Sequence, residues 1–207
     1  MTTRRYAQKT GEERRAERRA RLLDAGLDLL AEHGHRGVTI EALCAAANVS
    51  TRTFYEELGS REALVIALHD DVNARALEAV VAALADTDPT ALATRAAEAV
   101  HAYLEVMTSD RRFAQIALVE SVGIGAEAQA HRRAAIDRFV ALIELEADRL
   151  TGLGLLPRRD HHLTAVALAG ALNGLIGTWT EDADWDARLP QVEAEAARLI
   201  VLALSAP

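Results

Sequence analysis

Ser50-Thr-Arg-Thr-Phe-Tyr55 follows the short apolar segment Thr39-Ile-Glu-Ala-Leu-Cys-Ala-Ala-Ala47 after a corner of only two residues, Asn48-Val49. Two short helices joined that tightly have no room to lie antiparallel, so they must cross at a steep angle. That arrangement is the helix-turn-helix, whose second helix projects outward and fits a DNA major groove. Its exposed side would carry Thr51, Arg52, Thr53 and Tyr55, all able to hydrogen-bond phosphates or base edges. The stretch predicts a reader of DNA.

The flanking residues support that geometry. Thr39 is placed to cap the first helix, and Ile40, Leu43 and Ala47 recur at helical spacing as one apolar stripe. Asn48 stands where the chain must turn and tolerates the left-handed conformation. Val49 would plug the corner and Ser50 would cap the second helix. Phe54 and Leu58, four residues apart, supply its inward face. The alternative is an ordinary helical hairpin, which asks for none of these residues in particular.

The run Gly37-Val-Thr-Ile-Glu-Ala-Leu-Cys-Ala-Ala-Ala-Asn-Val-Ser-Thr-Arg-Thr-Phe-Tyr-Glu-Glu-Leu-Gly-Ser-Arg-Glu-Ala-Leu64 resembles the TetR family of bacterial transcriptional regulators. The resemblance covers about residues 14–66. It implies an all-α homodimer with a three-helix DNA-binding domain, here residues 1–60, and a helical ligand-binding and dimerisation bundle, here residues 61–207. Thr39, Thr51, Arg52, Thr53, Tyr55 and Arg61 match family positions that face DNA, with Ser50 beside them as the cap. Arg52 is the expected base reader, Tyr55 and Arg61 the expected phosphate holders. Three carboxylates fit less well. Glu41, Glu56 and Glu57 either turn into salt bridges with Arg36, Arg52 or Arg61, or weaken the hold on DNA. Leu58 also stands where the family more often has Phe.

A net charge of −8 argues against a nucleic-acid partner until its distribution is considered. Residues 1–21 hold eight Lys or Arg (Arg4, Arg5, Lys9, Arg14, Arg15, Arg18, Arg19, Arg21) against Glu12, Glu13 and Glu17. Residues 69–207 hold 12 basic and 21 acidic residues. A basic head on an acidic body is the expected outcome. The single cysteine, Cys44, excludes an intramolecular disulfide and fits a reducing cytoplasm, as a buried small hydrophobe. Asp24 and Asp28 interrupt the only early apolar run, so no signal peptide is expected. Leu163–Thr180 is free of charge over 18 residues. Its three Gly, three Thr and Asn173 favour a helix buried between protein surfaces over a membrane span.

Beyond the motif, stops and caps predict helices over 13–33, 61–85, 90–108, 111–121, 126–151, 161–180 and 189–204, after an arm over residues 1–11. Asp88 and Pro89 are expected at the start of the 90–108 helix. The proline-poor, Ala- and Leu-rich composition predicts no sheet.

In the family the helices after residue 90 enclose the inducer pocket, where the candidates are Tyr103, Met107, Phe113, Glu120, Asn173 and Trp179. A core or surface role is the competing reading for each. Gly170, Gly174 and Gly177 share one helix face, and Val192, Ala196 and Leu199 form a small or apolar stripe on the last helix. Together these six are the candidate dimer interface, as a four-helix bundle across a two-fold axis. The competing reading is that the glycines admit a neighbouring helix of the same chain. No catalytic constellation, phosphate loop, metal-ligand spacing or cofactor motif is present in the sequence. The expectation is a non-enzymatic, cytoplasmic repressor that binds a palindromic operator as a homodimer and is released by an unidentified small molecule. The alternative is a helical ligand-binding or dimerisation module that has lost specific DNA binding.

Overall fold

A computed structural model describes residues 10–117, 124–180 and 185–206. The basic arm over residues 1–9 and Glu120 lie outside the described residues. Every regular element among those described is a helix. The first, α1 (Gly11–Gly37), opens on Thr10, whose hydroxyl accepts from the Glu13 amide while the Glu13 carboxylate accepts from the Thr10 amide. This reciprocal cap starts the helix ahead of the expected Glu13. Gly34, at φ +65°, breaks the regular helix where the sequence predicts its end.

The two motif helices are α2 (Ile40–Ala47) and α3 (Thr51–Glu57), followed by the long α4 (Arg61–Asp86). Fully buried Leu22, Leu30, Leu43, Phe54 and Leu64 form the N-terminal core. Burying a side chain the size of Phe54 contributes about 2–3 kcal/mol. Gly26 permits the crossing of α1 over α4, since a Cβ there would lie 2.8 Å from a Leu64 methyl. Val65 and Leu68 belong to the same core as well, so the first turns of α4 pack with the motif helices across the expected boundary at residue 60.

Then come α5 (Leu92–Ser109), α6 (Arg111–Gln115), α7 (Ala126–Gly152), α8 (His162–Thr180) and α9 (Trp185–Ser205). Three starts or stops differ from expectation. Asp88 accepts from the amide and hydroxyl of Thr90 and so closes a turn around Pro89, and α5 begins later, without a side-chain cap. The regular helix beginning at Arg111 ends at Gln115, and residues 118–121 of the expected helix lie outside those described. α9 begins ahead of the expected Leu189 and contains Pro190.

In the C-terminal body α4 packs on α5 and α7, α8 lies between α7 and α9, and α9 returns to α5. The nearly buried Arg95 of α5 locks this arrangement. Its guanidinium donates to the carbonyls of Leu84 (2.8 Å) and Thr87 (3.0 Å), satisfying acceptors at the end of α4. It also donates to Glu146 of α7 at 2.7 Å, which Arg149 contacts at 3.0 Å.

Among the described residues no helix is long and apolar enough to cross a membrane. The expectation that α8 is buried between protein surfaces holds on one face only. Ala165, Leu168, Ala169 and Ile176 are buried, whereas Leu163 is 78% exposed and Val166, Gly170 and Gly174 are exposed.

Candidate DNA-reading surface and internal cavity

The corner between α2 and α3 is built as its residues require. Thr39 caps α2 by accepting from the Ala42 amide at 3.2 Å. Asn48 takes the left-handed conformation at φ 51°, ψ 55°, and Ser50 caps α3 by accepting from the Thr53 amide at 3.1 Å. Half-buried Val49 and Leu58 pack on the N-terminal core, and Phe54 is fully inside it. Helical spacing then puts Thr51, Arg52, Tyr55 and Glu56 on the opposite side of α3. All four are exposed there, Arg52 to 87% of its side chain. Tyr55 packs edge-on against Phe54, which steadies the ring without covering it. Thr53 is half-buried, with its hydroxyl 2.9 Å from that of Ser50.

The carboxylates divide. Glu56 accepts from Arg52 at 2.8 Å, one of the pairings expected for it. Glu57 instead turns toward α1, accepting from Arg15 at 2.9 Å and Arg18 at 3.0 Å, while Arg19 donates to its backbone carbonyl at 2.9 Å. Its side chain is only 3% exposed, so it faces α1 and not the outer surface of α3. Burial alone would push its carboxyl up; the two arginines outweigh that and hold it below its ordinary value. Glu41 stays exposed on α2. Arg61 is half-buried and donates to the Val38 carbonyl at 2.6 Å, so in this structure it ties α4 to the start of α2. Cys44 is buried, and burial followed by the nearby Glu41 raises its thiol pKa, as suits an inert core residue.

A second site lies in the C-terminal body. A cavity of about 90 Å³ opens between α4, α5, α7, α8 and α9. Its wall is almost wholly apolar, including Phe139, Ile143, Leu172 and Ile176, and among the described residues no lining side chain is charged. Among the described residues, Tyr103 and Asn173 alone bring side-chain hydrogen-bonding groups to it. Tyr103 packs edge-on against Phe139, and burial pushes its phenol well above the ordinary value, so it remains a protonated donor.

The family model for bacterial regulatory proteins of the tetR family matches residues 22–68, a span that runs from α1 through α2 and α3 into α4. That stretch of the chain is similar to the tetR-family regulators. No curated protein matches it in sequence. Solved structures share its fold over nearly the whole length. The fatty acid degradation regulator FadR from Bacillus halodurans is 17% identical with a TM-score of 0.77, covering 95% of this chain and 97% of its own. FadR from Bacillus subtilis, in complex with stearoyl-CoA, is 13% identical with a TM-score of 0.74 over 90% and 97%. AibR, in complex with isovaleryl coenzyme A and operator DNA, is 19% identical with a TM-score of 0.65 over 92% and 99%.

The predicted pocket residues separate. Tyr103 and Asn173 line the cavity. Met107 is fully buried in a neighbouring cluster with Val72 and Ala76, and Phe113 lies under the Arg75 guanidinium at 5.6 Å. Glu120 and the Trp179 side chain lie outside the described residues. The predicted dimer stripe separates too. Among the described residues, a Cβ built on Gly170, Gly174 or Gly177 meets no atom within 4 Å. Val192 and Ala196, by contrast, line the cavity, and Leu199 is half-buried. The apolar cavity wall, Ile136, Phe139 and Ile143 among it, was not singled out by sequence reasoning, because a cavity wall and a packed core use the same residues.

Proposed function

We propose that this protein is a ligand-responsive DNA-binding regulator of transcription, acting as a homodimer that represses until a small molecule enters the C-terminal cavity. The observation that carries the reading is the exposure of Arg52, with Thr51 and Tyr55, on the outer side of a helix anchored by Phe54. Arg52 would read a guanine edge and Tyr55 would hold a phosphate. The acyl-CoA and operator DNA named for AibR support both halves of the proposal.

The dimer forms through the outward face of α8, where Leu163 and Val166 are exposed beside the exposed glycines Gly170 and Gly174. Two recognition helices would then meet half-sites about 34–36 Å apart, or a multiple of that. Ligand and DNA communicate through two elements. α4 contributes Val80 to the cavity wall and Leu64 to the N-terminal core. α6 is fixed to α1, with Arg112 paired to Asp28, Gln115 donating to the Ala31 carbonyl and Ile116 buried in the N-terminal core. A ligand that expands the cavity shifts these elements and with them the spacing of the recognition helices. Near-complete switching requires roughly 10⁴-fold preference for the released state.

Selection of bound fragments from the source genome, followed by mobility shifts at two salt concentrations, tests the proposal. Sequence-specific retention that Arg52→Ala abolishes supports it. The second reading, a module without specific DNA binding, is favoured by the occupation of Arg52 by Glu56. It predicts retention indifferent to sequence, or none.

A further inference from the structure

We infer that the C-terminal cavity selects an uncharged, chiefly aliphatic ligand carrying one carbonyl or similar acceptor, received by Tyr103 and Asn173. The inference deepens the proposed regulatory reading and rests on its claim that this cavity is the ligand site. Among the described residues no charged side chain lines the wall, so a carboxylate or ammonium placed against them would lose its hydration without gaining a counter-ion. Such a group must enter neutral or remain at the mouth. A purely aliphatic guest would leave the two polar side chains of the wall unanswered.

The two polar groups come from facing helices, Tyr103 from α5 and Asn173 from α8, and among the described residues neither has a side-chain hydrogen-bond partner. The phenol supplies a donor at all working pH values, and the amide supplies both a donor and an acceptor. A ketone, ester, amide or thioester carbonyl suits that pair. At about 90 Å³ the cavity holds an aliphatic segment and its carbonyl, so any large polar group attached beyond the carbonyl stays outside.

Titration calorimetry on the purified full-length protein at pH 8 tests the assignment with probes of equal chain length. These are 2-octanone, methyl octanoate, octanoyl-CoA, octane, octylamine and octanoate. The carbonyl probes should bind roughly three- to tenfold tighter than octane. Tyr103→Phe and Asn173→Leu should each reduce that advantage while leaving octane unaffected. Octanoate should bind at least about tenfold more weakly than methyl octanoate and recover as pH falls toward its own pKa. Methyl octanoate and octanoyl-CoA share the carbonyl and differ in what trails from it. Dependence of either on Tyr103 and Asn173 supports the assignment and names the source.

Octanoate or octylamine binding as tightly as the ketone at pH 8 would overturn it, as would a carbonyl preference that survives both substitutions. Either result would leave the cavity a ligand site of another class. If no probe binds, by calorimetry or by a rise in melting temperature, the cavity is not a site for such ligands and the inference fails. DNA binding, measured without ligand, reports separately on the regulatory reading.

Discussion

The Glu57 carboxylate, in the last turn of α3, accepts a hydrogen bond from the Arg18 guanidinium of α1 at 3.0 Å. With Arg15 on its second oxygen, this pairing consumes basic charge of α1 to fix the angle of α3. Part of the basic stretch at the head of the chain therefore serves the fold. Glu57→Ala should lower unfolding free energy by about 1–2 kcal/mol in urea titrations. Because the folded carboxyl is held below its ordinary value, its stabilisation is present at neutral pH and lost as pH falls through that depressed value. An unchanged urea midpoint in Glu57→Ala would contradict this role.

Arg52 and Glu56 pair within one turn of α3 on its exposed side, so Arg52 must leave Glu56 to reach a base. Glu56→Gln keeps the shape and removes that competitor. Operator affinity should rise by roughly two- to fivefold at low salt, with the gain shrinking at high salt. Arg52→Ala should lose roughly tenfold or more on the best site and lose discrimination among sites. Fluorescence anisotropy with labelled duplexes measures both, and equal affinities for Glu56→Gln and the parent would show that the pair does not compete with DNA.

Arg95 lies buried between the end of α4 and Glu146 of α7. Glu146→Leu leaves its guanidinium facing an apolar group and should cost about 3 kcal/mol. Added to Glu146→Leu, Arg95→Met should cost less than it costs alone, since it removes the uncompensated charge along with the bonds to Leu84 and Thr87. A double variant less stable than the sum of the two single effects would argue against the locking role. Thermal unfolding of the four proteins makes the comparison.

His69 of α4 is buried, and burial lowers its pKa despite the neighbouring Asp70, with Arg132 and Arg138 acting in the same direction as burial. His131 of α7 contacts the other oxygen of Asp70 at 2.7 Å. Because His69 folds neutral, its depressed value means that stability is full above about pH 6.5 and declines as pH falls below that. His69→Gln should flatten the slope between pH 6.5 and 5, measured by urea unfolding at each pH. A slope equal to the parent's would assign the decline to other groups.

The turn from α2 to α3 was legible because its determinants are local. Thr39, Asn48 and Ser50 each act on backbone within three residues, and Phe54 with Leu58 settles which side of α3 turns inward. The all-helical class followed from composition and spacing for the same reason. Where two local signals compete for the same residues, the start of a helix was misplaced. Asp88 closes a turn with Thr90 where a helix cap was expected, and α9 includes Pro190 in place of starting beside it.

The sequence by itself determined the order of the helices, which face of α3 turns inward and that Arg52 and Tyr55 stand on its exposed side. Only the tertiary structure decided that Glu57 belongs to α1, that Arg61 is tied to Val38, and that Val192 and Ala196 face a cavity. Caps and periodicity act over one or two turns, so a linear reading captures them. The partner of a charge, or the space beside a small side chain, depends on helices that are distant in the chain and adjacent only after packing.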